Sequence, residues 1–260
     1  MLPLSFNNIT LFKEYVIYNN NNISNITIKF SNLTSDDIIN NINIFKKIQR
    51  LDCTRTQITE IPKECINLKF LDCFNTLLQN IPKELINLQY VNCSGSRITE
   101  IPKELINLKK LYCSRTQITE IPISFVNLQE LDCSYTKITE IPKELYNLQH
   151  LDCYNTQIIE VPKELINLQY LDCSETQITE IPKELINLRT LYCSKTLINE
   201  IPKELINLMT LNCSWTSITE IPISFVNLQD LYCSGSRITE IPKELINLQY
   251  KNYRNSNIFC

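Results

Sequence analysis

A single histidine limits what this chain can catalyse. His150 is the only one among 260 residues, and any Ser/His/Asp or Cys/His relay would have to run through it and its neighbour Asp152. It falls at an outward, variable place in the sequence pattern, with no reactive cysteine expected within reach, so a surface contact explains it more simply than a general base. Asp132, Asp152 and Asp172 recur every twenty residues and would stand in an outward row able to ligate a divalent cation. Solvated carboxylates on neighbouring strands explain the same spacing. Gly95 and Gly235 are the only glycines, which leaves no GxGxxG cradle for a phosphate. The expectation is a chain without catalytic residues, cofactor or metal.

Cysteine is the other reactive residue type, with twelve copies. Ten of them, from Cys53 to Cys233, recur every twenty residues at an inward place; Cys65 stands at a core leucine position and Cys260 is the last residue. Stacked strands put neighbouring Cα atoms about 4.8 Å apart, but side chains pointing the same way keep their Cβ atoms near that distance, whereas a disulfide prefers about 3.8 Å. No CxxC spacing offers a metal site. The column is therefore expected to be small, reduced, buried hydrophobes.

The element that positions all these residues is a repeat. In lines of twenty from Leu51 the chain aligns with itself ten times, to Tyr250. The seventh copy, LDCSETQITEIPKELINLRT, puts Leu171, Cys173, Ile178, Ile181, Leu185 and Leu188 where an apolar residue recurs in nearly every copy, and these six positions are the expected core. Leu171, Asp172 and Cys173 alternate as a short strand with Asp172 outward. Ile181 before Pro182 is held extended, and Pro182 can open one turn of helix or 3₁₀ through KELIN. A lone copy buries too little to fix twenty residues; stacked copies share one core.

The frame LxxLxCxxTxIxxIPxxL resembles the leucine-rich repeat, LxxLxLxxNxLxxLPxxL, in a short version covering 200 of the 260 residues. The resemblance implies an α/β solenoid: a horseshoe with a parallel concave β-sheet and short helical, 3₁₀ or irregular convex segments. The Cys-Ser-x-Thr flavour and the Asn/Ile/Lys bias are similar to leucine-rich-repeat proteins of amoeba-infecting giant viruses. At the sixth position, where the family has an asparagine that bonds neighbouring backbone, this chain has Thr in eight copies and Ser at Ser96 and Ser236. A hydroxyl has one donor against two for an amide, so the ladder is expected to be thinner or shifted.

Residues 1–46 do not keep the repeat. NITIKF reads as a strand and DDIINNINIFKKI as a helix with Ile38, Ile39, Ile42 and Phe45 on its apolar side, together an N-terminal cap. The repeats occupy 47–250. Residues 251–260 keep the phase weakly, with Lys251, Tyr253 and Ser256 at the strand Leu, Cys and Thr places, as a degenerate cap strand.

The ten copies also serve as an internal alignment. On the return segment the thirteenth position is only Lys or Ile and the fourteenth only Glu or Ser; on the strand side the twentieth runs from Phe70 and Tyr90 through Lys110, Glu130, His150 and Tyr170, and the fifth offers seven residue types. Both faces are exposed, so exposure cannot cause that contrast; recognition can. Some copies share long identical stretches, and drift after duplication is the competing cause. Glu130, Asp132, Tyr135, His150, Asp152, Tyr154, Tyr170, Asp172 and Glu175 would gather as an acidic, aromatic patch suited to a basic protein segment. Phe70, Phe74 and Tyr90 form a second patch for an apolar side chain.

A net charge of −3 and dispersed Arg50, Arg55, Lys110, Arg115 and Lys195 argue against nucleic acid or an anionic membrane. The N-terminus lacks a signal-peptide pattern, so a cytoplasmic monomer, in the host cytoplasm if viral, is expected. It would bind a protein and no small-molecule substrate, as an adaptor or decoy in a host cell. A structural or virion-associated repeat protein and a substrate-recruiting subunit of an enzyme complex are the alternatives.

Overall fold

The computed structural model describes residues 4–6, 9–18 and 27–252. It opens with β1 (Leu4–Phe6), α1 (Ile9–Tyr18), β2 (Thr27–Phe30), α2 (Ser35–Asn40) and α3 (Ile42–Phe45). Strands then recur every twenty residues: β3 (Arg50–Asp52), β4 (Phe70–Asp72), β5 (Tyr90–Asn92), β6 (Lys110–Tyr112), β7 (Glu130–Asp132), β8 (His150–Asp152), β9 (Tyr170–Asp172), β10 (Thr190–Tyr192), β11 (Thr210–Asn212), β12 (Asp230–Tyr232) and β13 (Tyr250–Asn252). Residues 253–260, with Tyr253, Ser256 and Cys260, lie outside the described residues.

Two compact units divide the repeat array, Met1–Leu128 and Gln129–Cys260. In unit one β1 to β6 pair in sequence order, all parallel, and equivalent residues meet without offset, as Leu51 with Leu71. Unit two repeats the scheme from β7 to β13. Each is a parallel-sheet solenoid, and among the described residues helix is confined to the first 46.

The six core columns fill as expected: Leu171, Cys173, Ile178, Leu185 and Leu188 are fully buried and Ile181 nearly so, a pattern kept along both units except in the last repeat, where Ile241 and Leu248 are only partly buried. Strand pairing begins one residue earlier than the sequence suggests, at Tyr170 instead of Leu171, because the Tyr170 amide bonds the carbonyl of Gln149 in the preceding repeat. The cysteine column carries its own ladder. Cys153 N–H donates to the carbonyl of Asp172 in the next repeat at 2.8 Å, and the Cys153 thiol donates to the same oxygen at 3.3 Å.

The return segments are irregular rather than helical. Leu185 N–H bonds Pro182 O at 3.2 Å and Leu188 N–H bonds Leu185 O at 3.0 Å, two successive tight turns that reverse the chain within a twenty-residue coil. The threonines do not take over the asparagine's ladder: Thr176 Oγ1 donates to the carbonyl of Cys173 in its own repeat at 2.6 Å. The ladder between repeats has moved to the return segments. Asn187 Nδ2 donates to Ile166 O and Asn207 Nδ2 to Ile186 O in unit two, as Asn87 does to Ile66 O and Asn107 to Ile86 O in unit one.

At the N-terminal end the structure exceeds the expected strand and helix. A further strand, β1, and a further helix, α1, precede them, and Phe6, Phe12, Phe30 and Phe45 pack ring against ring, Phe12 meeting Phe30 edge-on at 5.3 Å. The expected single helix is broken at Asn41, which has φ −122°, into α2 and α3. Ile38 and Phe45 are buried as expected, but the break turns Ile39 outward and leaves Ile42 only partly buried. Among the described residues no helix is long and apolar enough to cross a membrane.

Candidate interaction surface

The aspartates following the strand leucines have a local task that their spacing does not reveal. Asp132 Oδ1 accepts the amide of Ser134, Asp152 Oδ1 that of Tyr154 and Asp172 Oδ1 that of Ser174, at 2.9–3.0 Å, each closing a turn at the end of its strand. Asn92 and Asn212 accept the equivalent amides of Ser94 and Ser214. Half of each carboxylate is thus committed to backbone. The register sets Asp132, Asp152 and Asp172 side by side in unit two. Burial, then the charges of Asp132 and Asp172, raise Asp152 from the usual carboxylate range to about 6, against the opposing bond from Tyr154 N–H. Asp172 is also raised by burial.

The expected aromatic neighbours lie where the sequence put them. Glu130, His150 and Tyr170 are register partners, and the His150 and Tyr170 rings stack at 4.0 Å and 6°. Tyr135 meets Tyr154 edge-on at 5.0 Å. Tyr154 shares side-chain hydrogen bonds with Tyr135 and Glu175, and Glu175 pairs with Lys195 at 2.6 Å. That bond from Lys195, then the one from Tyr154, holds Glu175 below the usual carboxylate range. All nine residues of the expected main patch therefore share the sheet side of unit two.

The second patch is less bare than expected. Phe70 and Tyr90 stack at 4.2 Å and 13°, but the Arg50 guanidinium covers Phe70 at 4.2 Å, and Arg55 stands 5.9 Å from the Phe74 ring centroid. Arg50, at the same position one repeat earlier, and Arg55, from the preceding repeat, occupy the faces an apolar ligand would use.

Two features escape a reading of the sequence. First, the variable fifth position is left-handed in every copy: φ is 55° at Tyr135, 57° at Glu175, 54° at Lys195 and 58° at Trp215, as well as 68° at Gly95 and 70° at Gly235. That conformation costs a residue with a Cβ about 1–2 kcal/mol, so glycine or asparagine would suit the backbone best, and Tyr135 and Trp215 stand there largely exposed, at 43% and 59%. The signal was present in Gly95, Asn75, Asn155 and Gly235 sharing one column. Second, the uniform return side carries an apolar row, with Ile86 and Ile106 in unit one and Ile166, Ile186 and Ile206 in unit two all about half-exposed, at 49–51%.

Among the described residues all eleven cysteines are buried and none is in a disulfide, and burial pushes thiols of this column up, Cys93 to about 12 and Cys233 to about 11. Among those residues no three His, Cys, Asp or Glu side chains group so as to hold a metal ion.

A coil of twenty residues with a Leu strand, a cysteine ladder and a proline turn is the geometry of one known repeat. Residues 106–145 match Leucine Rich repeats (2 copies) and residues 167–188 match Leucine Rich Repeat. The matched segments are leucine-rich repeats. The functional domain of InlJ from Listeria monocytogenes, which includes a cysteine ladder, shares the fold with a TM-score of 0.76 at 24% identity, over 90% of this chain and 58% of its own. A leucine-rich-repeat protein of Leptospira interrogans gives 0.68 at 25%, over 91% and 74%. The Arabidopsis receptor kinase HAESA, in complex with the peptide hormone IDA and the co-receptor SERK1, gives 0.66 at 22%, over 84% and 42%. No curated protein matches the chain. The leucine-rich-repeat fold is that of a protein-interaction scaffold, and such scaffolds are generally non-catalytic.

Proposed function

We propose that this chain is a non-catalytic module that holds a partner polypeptide on the sheet side of unit two. One observation carries the reading: the sheet side gathers three adjacent half-buried carboxylates, a stacked His150–Tyr170 pair and the exposed Tyr135, while the return segments repeat Lys, Glu, Ile and Asn almost unchanged. Tyrosines supply large contact area at low entropic cost, and carboxylates select and steer a basic partner. Receptor HAESA holding a peptide hormone on the same fold supports a polypeptide ligand. The buried free thiols suit a reducing compartment, consistent with a monomeric adaptor or decoy acting in a host cytoplasm. A structural role is the competing reading, favoured by the isoleucine row on the return side.

Affinity capture from a cell lysate, quantified by mass spectrometry, separates the two. D132N, D152N and D172N together with Tyr170→Ala leave the turns intact, as Asn92 and Asn212 show, and should lower partner recovery about tenfold. Ile166→Ser, Ile186→Ser and Ile206→Ser should leave it unchanged. The reverse pattern would transfer the function to the return side.

A further inference from the structure

Trp215 is the only tryptophan of the chain, and it stands where the backbone tolerates one least. It follows β11 at the left-handed fifth position, and its side chain is more exposed than that of Tyr135. The indole lies flat against Gly235 of the next repeat: a Cβ there would come within 2.7 Å of Cε3 and 2.8 Å of Cδ2. At Gly95, whose repeat is nearly identical in sequence, a Cβ would meet nothing nearer than Asn75 Cα at 3.7 Å. Backbone therefore closes one face of the indole, and the exposed remainder of the side chain forms a platform three residues beyond Asn212 of β11, whose register partners are Tyr192 and Tyr232.

We infer that Trp215 is the anchor of the surface proposed above, receiving the planar guanidinium of an arginine from an extended basic segment whose second cation meets Asp152 and Asp172. The inference rests on that reading of the sheet side as a polypeptide-binding surface. Charge complementarity selects the occupant. The sheet side of unit two presents Glu130, Asp132, Asp152, Asp172 and Asp230, and of its cations Lys195 is already paired with Glu175. Of the two basic side chains, arginine stacks on an indole and sheds water easily, whereas the lysine ammonium is a strongly hydrated point charge. Trp215 lies two strands across and three residues along from Asp172, about 14 Å from the usual spacing and rise of strands, which an extended chain spans in about four residues.

As the sole tryptophan, Trp215 reports on its own site by fluorescence. The probe is the peptide Arg-Ser-Ser-Ser-Arg, with the lysine and proline versions, Lys-Ser-Ser-Ser-Lys and Pro-Ser-Ser-Ser-Pro, alongside, titrated into the full chain at low salt. The arginine peptide should change Trp215 emission and bind about tenfold tighter than the lysine peptide. By a label on the peptide, Trp215→Leu should erase that preference and Gly235→Ala, which displaces the ring, should weaken it. Equal affinity for arginine and lysine peptides, tighter binding of the proline peptide, or no binding of either basic peptide overturns the inference. Lysate partners retained by Trp215→Leu but lost from D132N/D152N/D172N would remove Trp215 from the surface and leave the function standing.

Discussion

The two units repeat the same core pattern and differ in how their sheet sides handle charge. In unit one Lys29 pairs with Asp52 at 3.2 Å and Arg50 lies over Phe70, so the strand side supplies cations to its own carboxylates and rings. In unit two Asp152 stands between Asp132 and Asp172, and burial, with the charges of those two neighbours added to it, raises it to about 6. The same frame, with Leu, Cys, Thr and Pro at the same places, thus carries a face whose cations meet Asp52 and Phe70 and a face that sets three aspartates side by side. What distinguishes them is the residue at the twentieth, second and fifth positions, which the core does not constrain.

If the cores are equivalent, their thiols must be equally protected. Labelling of Cys73 and Cys173 by a maleimide at pH 8 is expected to run at least about a thousandfold slower in the native protein than in denaturant, because reaction waits on opening. Fast labelling confined to one unit, read by mass spectrometry of the digests, would break the equivalence. Leu71→Ala and Leu171→Ala should each cost about 2–5 kcal/mol in urea unfolding, and matching losses would place the difference between the units wholly on their surfaces.

The carboxylate row makes a prediction for unit two with a defined sign. Asp152 is raised from 3.8 to about 6 in the folded chain, so its contribution is fully present below pH 3.8 and is lost as pH rises through 6. Stability should therefore increase on acidification from pH 7 to 5, by on the order of 1 kcal/mol after solvent screening. D152N should reduce that rise to the part due to Asp72 and Asp172 while stabilising the protein at pH 7, whereas Asp152→Ala forfeits the turn as well. Glu175, held low by Lys195 and Tyr154, titrates below 4.5 and stays outside this window. A flat profile between pH 7 and 5 in the native chain would remove the electrostatic distinction. The smallest effect is expected for Arg50→Gln, which should cost under about 1 kcal/mol by thermal melting and bare the Phe70 face.

Much of the solenoid was legible because periodicity reports burial directly: Leu171, Cys173, Ile178, Ile181, Leu185 and Leu188 recur since every coil needs the same six contacts. The N-terminal cap was legible only in part. α1, with Phe12 and Val16 buried one turn apart, has no repeat to reveal it, and the strand and helix pattern of 1–46 does not show that four phenylalanines meet. The main patch could be named because register in a parallel stack follows from the period. The second patch could not, since whether Arg50 points to solvent or lies on Phe70 is a rotamer choice that spacing leaves open.

The sequence by itself determined the coil length, the core columns, the varied strand side and the uniform return side, because twenty-residue spacing fixes which side chains are stacked. Only the tertiary structure decided what the stacked residues do. It turned half of each aspartate to its own turn, moved the asparagine ladder to Asn187 and its equivalents, and put the fifth position at φ near 55°. These outcomes depend on hydrogen-bond directions and backbone dihedrals, and neither is set by the distance between two residues along the chain.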